Sequence, residues 1–220
     1  MPEFDPSGRE TFLRHFPVSC ETLEKFDHYA ELLSGWNAKF NLIGESTLPD
    51  IWRRHFLDSA QLVKFIPGSA KTLVDLGSGA GFPGLVLSIM NFSEIHLVES
   101  IGKKVGFLRA VIAELKLNAT VRQMRIESIH GIKFDVLTAR ALKPLPHLLK
   151  LAKPLMNKDS ICLLLKGQRA NAELTESAEY WKFDCEMFPS ISGSSGRVLK
   201  ISNLASKAGS GKNGAQRKIR

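Results

Sequence analysis

The chain has 220 residues, of which 44% are hydrophobic, enough for one core and too short for a large multidomain protein. No apolar signal segment follows the first residues, and the longest apolar runs are too short to cross a membrane. The three cysteines are widely spaced and form no metal-binding pattern. We therefore expect a cytoplasmic protein that binds no metal and no membrane.

The net charge of +8 is concentrated at the carboxyl terminus. Residues 203–220 contain five Lys and Arg residues and no acid. The segment is also rich in Gly and Ser, a composition that predicts a disordered tail. Two interpretations stay open: the tail attracts phosphates without reading a base sequence, or it only keeps the protein soluble.

Residues 1–69 are predicted to form a helical extension. Ser7 and Glu10 have the spacing of a capping box at the start of a first helix. A second helix is expected after Ser19. Apolar residues recur along it at helical spacing, namely Leu23, Phe26, Ala30 and Leu33. The turn residues Pro67-Gly68-Ser69 mark the end of the extension.

A further helix of the extension, starting near Asp50, carries a histidine and an acid three residues apart. At this spacing His55 and Asp58 share one helix face. One interpretation is an acid–base pair. The other, which we favour because it is more common, is a structural pair in which Asp58 fixes one tautomer of the imidazole.

The stretch from Thr72 to Leu85 is the most informative part of the chain. An apolar strand is followed by three glycines at alternate positions, Gly77, Gly79 and Gly81. Pro83 then suits the first turn of a helix. Glycines allow positive φ angles and a close approach of backbone to ligand, and a helix N-terminus offers free N–H groups to an anion. The stretch therefore predicts a ligand-binding loop.

Two ligands fit this loop by sequence. Residues 79–84 match the Gly-x-Gly-x-x-Gly fingerprint of dinucleotide-binding proteins, and Glu99 follows at roughly the expected 20 residues. That pattern would indicate an NAD- or FAD-dependent oxidoreductase. Residues 75–81 also read Asp-x-Gly-x-Gly-x-Gly, with the acid on the strand itself. This second pattern, which we favour, resembles motif I of class I S-adenosylmethionine methyltransferases.

Strands and helices alternate after the glycine loop. Further strands are expected at residues 94–99, 119–124, 134–138, 160–165, 181–188 and 197–201. The last two strands have no helix between them. The order predicts an α/β fold, a Rossmann-like class I methyltransferase domain over residues 70–202. Its parallel sheet would carry helices on both faces and an antiparallel strand at the edge.

Ligands of an open parallel sheet bind beside the carboxyl ends of its strands. Glu99 ends a strand there and can accept hydrogen bonds from two ribose hydroxyls. Ile126 can pack on a purine, and Glu127 can accept from the adenine amino group. Arg140 ends the next strand, and we assign it to the donor carboxylate or to a phosphate. Residues 166–167 end the fifth strand.

Two kinds of methylation are excluded because the chain lacks the residues that they need. Residues 138–144 do not match the Asn/Asp-Pro-Pro-aromatic motif of amino-group methyltransferases. Cys162 and Cys185 both lie on predicted strands, so neither is placed as the nucleophile of cytosine C5 methylation. A ring nitrogen with its own lone pair, such as guanine N7, needs only alignment with the methyl donor. We therefore assign no catalytic residue.

Several stretches together resemble one family. They are residues 36–43, 54–59, 75–84, 97–108, 139–141 and 166–167. Their order and spacing resemble the bacterial ribosomal small-subunit methyltransferase G family, also called glucose-inhibited division protein B, over roughly residues 23–201. The resemblance implies an enzyme that transfers a methyl group from S-adenosylmethionine to N7 of a guanine in 16S ribosomal RNA.

The resemblance also implies donor contacts at Gly77, Phe82, Ile126, Glu127 and Arg140. Our strand-end argument and the glycine loop add Glu99 and Gly79 to this set. For the partner, 16S ribosomal RNA or the small ribosomal subunit, the candidate phosphate contacts are Arg54, Lys103, Lys166 and Arg197. Two other functions stay open on the residues alone, an NAD- or FAD-dependent oxidoreductase and a non-catalytic RNA-binding assembly factor.

Overall fold

The computed structural model describes residues 4–207 and contains one seven-stranded sheet in the order β3-β2-β1-β4-β5-β7-β6. The strands are β1 (Thr72–Leu76), β2 (Glu94–Glu99), β3 (Ala119–Gln123), β4 (Phe134–Arg140), β5 (Met156–Lys166), β6 (Trp181–Pro189) and β7 (Arg197–Ser206). Strand β7 is antiparallel to β5 and to β6, and the other neighbours are parallel. The predicted α/β sheet with an antiparallel strand near its edge is confirmed.

The helices follow the predicted alternation. They are α1 (Pro6–His15), α2 (Cys20–Phe40), α3 (Asp58–Ala60), α4 (Gly84–Ile89), α5 (Gly102–Leu115), α6 (Leu145–Ala152) and α7 (Ala170–Tyr180). Helix α3 continues a π-helical segment, Trp52–Leu57, and leads into a 3-10 segment, Gln61–Phe65. Residues 52–65 therefore form one helical segment with changing pitch. Within residues 4–207, no helix combines the length and apolar character that a membrane span needs.

Alternate residues of the central strands supply two cores, one on each face of the sheet. On one face, Leu73 is buried in the same apolar cluster as Leu85 and Phe107 of helices α4 and α5. On the other face, Val74 is buried with Leu145 and neighbouring residues of α6. Burying a side chain of this size is worth about 1.5–3 kcal/mol. The two clusters explain why the strands read as continuous apolar runs.

An aromatic cluster fixes the helical extension against the sheet. The ring of Phe26 lies 5.0 Å from the ring of Phe12 and 5.0 Å from that of Phe56. Trp52 packs edge-on against Phe56 at 5.1 Å. Phe56 in turn lies 6.0 Å from Phe82 of the glycine loop. The extension therefore packs directly against the predicted ligand-binding loop.

Several predicted boundaries differ from the structure, among them the start of β5, which lies at Met156 and not at residue 160. Asp5, not Ser7, caps α1, because its carboxylate accepts a hydrogen bond from the Ser7 N–H at 2.9 Å. Strand β7 continues to Ser206, because it keeps pairing with β6 as far as Trp181, so the predicted tail at 203–220 overlaps the strand. The rest of that predicted tail, residues 208–220, lies outside the described residues. The predicted start of α2 after Ser19 is confirmed, and the Ser19 side chain caps the helix.

Candidate active site

The glycine loop between β1 and α4 turns in a conformation that only glycine adopts easily. Gly77, Gly79 and Gly81 have φ angles of +68°, +58° and +94°. A Cβ atom on Gly81 would lie 2.3 Å from Leu85 Cδ1 and 2.6 Å from the Tyr29 hydroxyl oxygen. The loop is therefore shaped by backbone geometry and by close packing from both sides.

Asp75, at the end of β1, ties this loop to its surroundings. Its buried carboxylate accepts hydrogen bonds from the Thr138 hydroxyl at 2.8 Å and from the Gly84 N–H at 3.3 Å. Burial raises the pKa of Asp75 from 3.8 to about 6, against the opposing effect of these hydrogen bonds. The expectation that the start of α4 offers free N–H groups to a ligand is corrected at Gly84, whose N–H is used by Asp75.

Glu99, at the end of β2, holds the loop from the other side. One carboxylate oxygen accepts from the N–H groups of Ser100 at 2.7 Å and Ile101 at 2.8 Å. The second accepts from the Gly79 N–H at 3.1 Å. The predicted ribose acceptor is thus a buried, anchored carboxylate. It shapes the loop, and its second oxygen retains capacity for another donor.

The glycine loop and three strand ends enclose a cavity of about 430 Å³, which we call the loop pocket. The structure places all seven predicted donor-site residues around it, namely Gly77, Gly79, Phe82, Glu99, Ile126, Glu127 and Arg140. Its volume lies within the range of small-molecule sites. The left-handed glycines, the buried Glu99 carboxylate and the apolar Ile126 side chain in its lining suit a ligand with amino-acid, ribose and purine parts.

Arg140 lies in the wall of the loop pocket, and four neighbours surround its guanidinium. It donates to the Arg54 carbonyl oxygen at 3.1 Å and lies 2.7 Å from Nδ1 of His55. Asp58 is 3.6 Å away, and the guanidinium carbon lies 4.8 Å from the centre of the Phe82 ring. Burial lowers the pKa of Arg140, and the charge of Asp58 opposes this.

The expected His55–Asp58 pair does not form in the structure. Arg140 lies between the two side chains and contacts both, so neither an acid–base pair nor a tautomer-fixing pair is present. Burial, followed by the positive charges of Arg140 and Arg54, lowers the pKa of His55 to about 3. His55 is therefore neutral at physiological pH.

A second cavity, of about 800 Å³, opens beside the loop pocket, and we call it the side cleft. Residues 140–143 and Ile43 line both cavities. Leu142 in this shared wall lies so close to Gly77 that a Cβ there would be 2.4 Å from Leu142 Cδ1. The rest of the cleft is lined by the helical extension, by the end of β5 and by the β6–β7 turn at residues 192–196.

The β6–β7 turn is held in place by the helical extension. One Asp58 carboxylate oxygen accepts from the hydroxyls of Ser192 at 2.7 Å and Ser190 at 3.2 Å. The same oxygen accepts from the Gln61 amide at 3.0 Å. Gln61 also accepts from the Ile191 N–H at 3.1 Å. Asp58 therefore links Arg140 to the far wall of the side cleft.

The four predicted phosphate contacts differ in how free their charges are. Arg54 and Lys103 have exposed side chains. Lys166 is only 11% exposed and pairs with Glu173 at 2.8 Å, so its charge is already compensated. Arg197 donates to two carbonyl oxygens of the adjacent turn, at 2.9 and 2.7 Å. The structure thus presents Arg54 and Lys103 to a partner more openly than the other two.

Sequence reasoning missed several residues of the site. Tyr29 of α2 is fully buried, donates to the Ala80 carbonyl oxygen and lies 5.5 Å from the ring of Phe82. Its position between Phe26 and Leu33 at helical spacing could have indicated burial. The contacts of Asp58 with Ser190 and Ser192 join residues about 130 positions apart, and no local signal predicts them.

Comparisons with known proteins identify a family for the chain. The model of the GidB family, described as "rRNA small subunit methyltransferase G", matches residues 22–198. A "Ribosomal RNA small subunit methyltransferase G" of Paramagnetospirillum magneticum is 46% identical over 198 residues, covering 90% of this chain and 97% of the relative. Another of the same name, from Rhodospirillum centenum, is 46% identical over 91% of this chain and 93% of the relative.

Solved structures support the fold at low sequence identity. A putative O-methyltransferase from Klebsiella pneumoniae has a TM-score of 0.59 and 12% identity, over 91% of this chain and 97% of that chain. The ribosomal protein L11 methylase from Lactobacillus delbrueckii subsp. bulgaricus has a TM-score of 0.55 and 15% identity, over 66% and 75%. The match of the family model and the two relatives at 46% identity carry the assignment. The chain belongs to the rRNA small subunit methyltransferase G family, S-adenosylmethionine-dependent enzymes that methylate 16S ribosomal RNA.

Proposed function

We propose that the chain methylates N7 of a guanine in 16S ribosomal RNA, with the methyl donor in the loop pocket and the guanine entering through the side cleft. The observation that carries this proposal is the shared wall at residues 140–143, where the two cavities meet. Because the two cavities share these residues, a guanine that enters through the side cleft would arrive next to a donor held in the loop pocket, as in-line transfer requires. Family membership leaves no role for the oxidoreductase and the non-catalytic alternatives.

The residues of the loop pocket suit the parts of the donor. S-adenosylmethionine supplies a methyl group on a positively charged sulfur. We assign the amino-acid part to the glycine loop and to Arg140, whose positive charge suits a carboxylate. The free acceptor capacity of Glu99 suits a ribose hydroxyl. Ile126 and Glu127 suit the face and the amino group of adenine.

The contacts of the two titratable groups beside Arg140 in the side cleft, His55 and Asp58, support direct transfer. Nδ1 of His55 is occupied by Arg140, and Asp58 is surrounded by Arg140, Ser190, Ser192 and Gln61. Nδ1 of His55 is therefore not available to take a proton from an acceptor, and Asp58 is engaged in structural hydrogen bonds. Guanine N7 carries its own lone pair and loses no proton on methylation. Alignment and exclusion of water are then the tasks of the protein.

On the acceptor side, we assign phosphate contacts to Arg54, Lys103 and Arg197, and we retain Lys166 as a weaker candidate. A base within a folded RNA must leave its stack to enter the side cleft. The partner is 16S ribosomal RNA or the small ribosomal subunit, which places the reaction in the cytoplasm. We also propose that residues 1–69 act as an extension that completes the side cleft of the domain at residues 70–202.

The test is methyl transfer with isotope-labelled S-adenosylmethionine. The substrates are 16S RNA and small subunits that lack the modification, followed by mass spectrometry of the nucleosides. We expect labelled N7-methylguanosine. RNA that already carries the modification is the control and should gain no label. Label at another atom, or no label on either substrate despite donor binding, would contradict the proposal.

A further inference from the structure

The hydrogen bonds around His55 form a chain in which every donor points the same way, from Arg140 through the ring to Thr47. The Thr47 hydroxyl donates to the Gly44 carbonyl oxygen at 2.8 Å, so its oxygen is free to accept. Nε2 of His55 lies 2.9 Å from that oxygen. On the other side of the ring, Nδ1 lies 2.7 Å from Nη2 of Arg140, which can only donate. The ring must therefore carry its proton on Nε2 and present a lone pair at Nδ1.

The surroundings keep the ring in this neutral form. His55 is 8% exposed and its ring stacks on Phe82 at 4.8 Å, leaving little water to solvate a charge. Arg140 and Arg54 both place positive charge next to it. Asp58, the nearest acid on the same helical segment, is directed at Arg140 and at the β6–β7 turn. A second proton on His55 would put an N–H against the guanidinium.

The same contacts exclude a role for His55 as a general base. Nδ1 is occupied by a cation that cannot give up its proton under these conditions, and Nε2 already carries a proton and points at Thr47. The ring supplies the shortest contact of the guanidinium, an uncharged acceptor at 2.7 Å. Asp58 at 3.6 Å and the Arg54 carbonyl at 3.1 Å complete the set of groups around the guanidinium.

We propose that His55 is a positioning residue for methyl transfer, whose Nδ1 lone pair holds the guanidinium of Arg140 in the wall between the loop pocket and the side cleft. The inference rests on the proposed function in one respect, namely that Arg140 contacts the donor. An arginine side chain has many rotamers, and holding one of them in advance reduces the entropy lost when the donor binds. Loss of the Nδ1 acceptor should therefore weaken donor binding.

Two substitutions separate the two ring nitrogens. In H55N, the side-chain oxygen can occupy the place of Nδ1 and accept from Arg140. In H55Q, the longer side chain can reach Thr47 in place of Nε2 and leaves Arg140 without this acceptor. We expect H55Q to weaken the binding of S-adenosylmethionine about tenfold or more, the usual effect of losing a hydrogen bond to a charged group. H55N should recover most of that loss.

The readouts are calorimetric titration with S-adenosylmethionine, steady-state kinetics, and the ¹⁵N spectrum of the imidazole in the full chain. The spectrum should show His55 as the neutral Nε2–H tautomer. H130N, at an exposed histidine, is the matched control and should bind the donor like the wild type. Equal losses in H55N and H55Q, no loss in either, or an Nδ1–H or charged ring would overturn the inference.

The inference and the proposed function can fail separately. If the wild type puts no methyl group on guanine N7 while the two variants differ in donor affinity as expected, the acceptor is wrong and the positioning role stands. If guanine is methylated but H55N and H55Q are equivalent, the positioning role is overturned. The ¹⁵N spectrum decides the tautomer even if H55Q fails to fold.

Discussion

The loop pocket and the side cleft are built in different ways. The loop pocket is formed mainly by one contiguous strand–turn–helix unit and by the ends of three neighbouring strands. The side cleft takes its walls from the helical extension, from residues 140–144, from the end of β5 and from the β6–β7 turn. Sequence patterns predict the first residue by residue, whereas they do not predict the second as a cavity at all.

This difference shows what kind of binding site a sequence pattern can reveal. A site encoded by a local turn, and by strand ends that topology brings to one edge, leaves a readable pattern. A site closed by side chains from distant segments depends on how those segments pack. We therefore expect substitutions in the loop pocket to act on donor binding through local geometry. Substitutions of exposed cations should act more weakly, through charge.

The largest effect is expected from Gly81→Ala. Its φ of +94° and the 2.3 Å approach to Leu85 leave no room for a methyl group. We expect donor binding to be lost and the free energy of unfolding to fall by roughly 2–4 kcal/mol. Calorimetric titration with S-adenosylmethionine and denaturant unfolding would measure the two effects.

A glycine elsewhere in the chain provides the control for this change. Gly35 lies within α2, and a Cβ atom added there would have no neighbouring atom within 4 Å. Gly35→Ala should leave donor binding unchanged and stabilise the helix by about 0.5–1 kcal/mol. Normal donor affinity in Gly81→Ala would show that the loop tolerates rearrangement. It would contradict our view that local backbone geometry determines donor binding in the loop pocket.

The next effect is expected from Glu99→Gln. The carboxylate accepts from three backbone N–H groups, and an amide cannot accept at both ends. Leaving one buried N–H unpaired costs about 1–3 kcal/mol of folding stability. Because the variant also loses the charged acceptor that we assign to a ribose hydroxyl, donor affinity should fall about tenfold or more. Glu94→Gln, at the other end of β2, is the control and should bind donor normally. Equal donor affinities in the two variants would show that Glu99 does not contribute to donor binding.

The third effect is a loss of folding stability at low pH that depends on His55. The pKa of His55 is about 3 in the folded chain against an ordinary value of 6.5, so the unfolded chain binds more protons between these values. This contribution to stability is complete above pH 6.5 and is lost as the pH falls toward 3. Between pH 7 and 5.5, the wild type should lose about 1 kcal/mol more than H55N does.

Denaturant unfolding at several pH values would measure this difference. Asp75 changes the free energy of unfolding with pH in the opposite direction, because its pKa rises from 3.8 to about 6 on folding. Stability from Asp75 is therefore present below pH 3.8 and lost as the pH rises to 6. Comparing the wild type with H55N removes this shared contribution. Parallel pH profiles would mean that His55 is protonated in the native state, against the hydrogen bonds that surround it.

The smallest effects are expected for two of the candidate phosphate contacts, Lys103 and Lys166. Lys103 is exposed, and if it contacts a phosphate then Lys103→Ala should lower the slope of log affinity against log salt by about 1. Lys166 is paired with Glu173, so Lys166→Met should reduce thermal stability and leave the salt slope nearly unchanged. Filter binding of 16S RNA at several salt concentrations would measure both. A larger slope change in Lys166→Met would reverse this ranking.

Sequence patterns predict most accurately those features that depend on neighbouring residues and on the order of the strands. The left-handed φ angles at Gly77 and Gly81, and the place of Glu99 at a strand end, follow from residue types and strand order. Errors arise where a side chain has several possible partners. The spacing of Ser7 and Glu10 predicts Ser7 as the cap of α1, yet the Asp5 carboxylate is the group that accepts from the Ser7 N–H.

The sequence by itself determined the α/β fold, the glycine loop and the residues around the loop pocket, because these depend on periodicity, on turn chemistry and on the order of strands. Only the tertiary structure decided that Arg140 separates His55 from Asp58 and that Asp58 reaches Ser192. Buried polar groups must find partners, and which partner is nearest depends on how the helical extension packs on the sheet. The spacing of residues along the chain does not predict that packing.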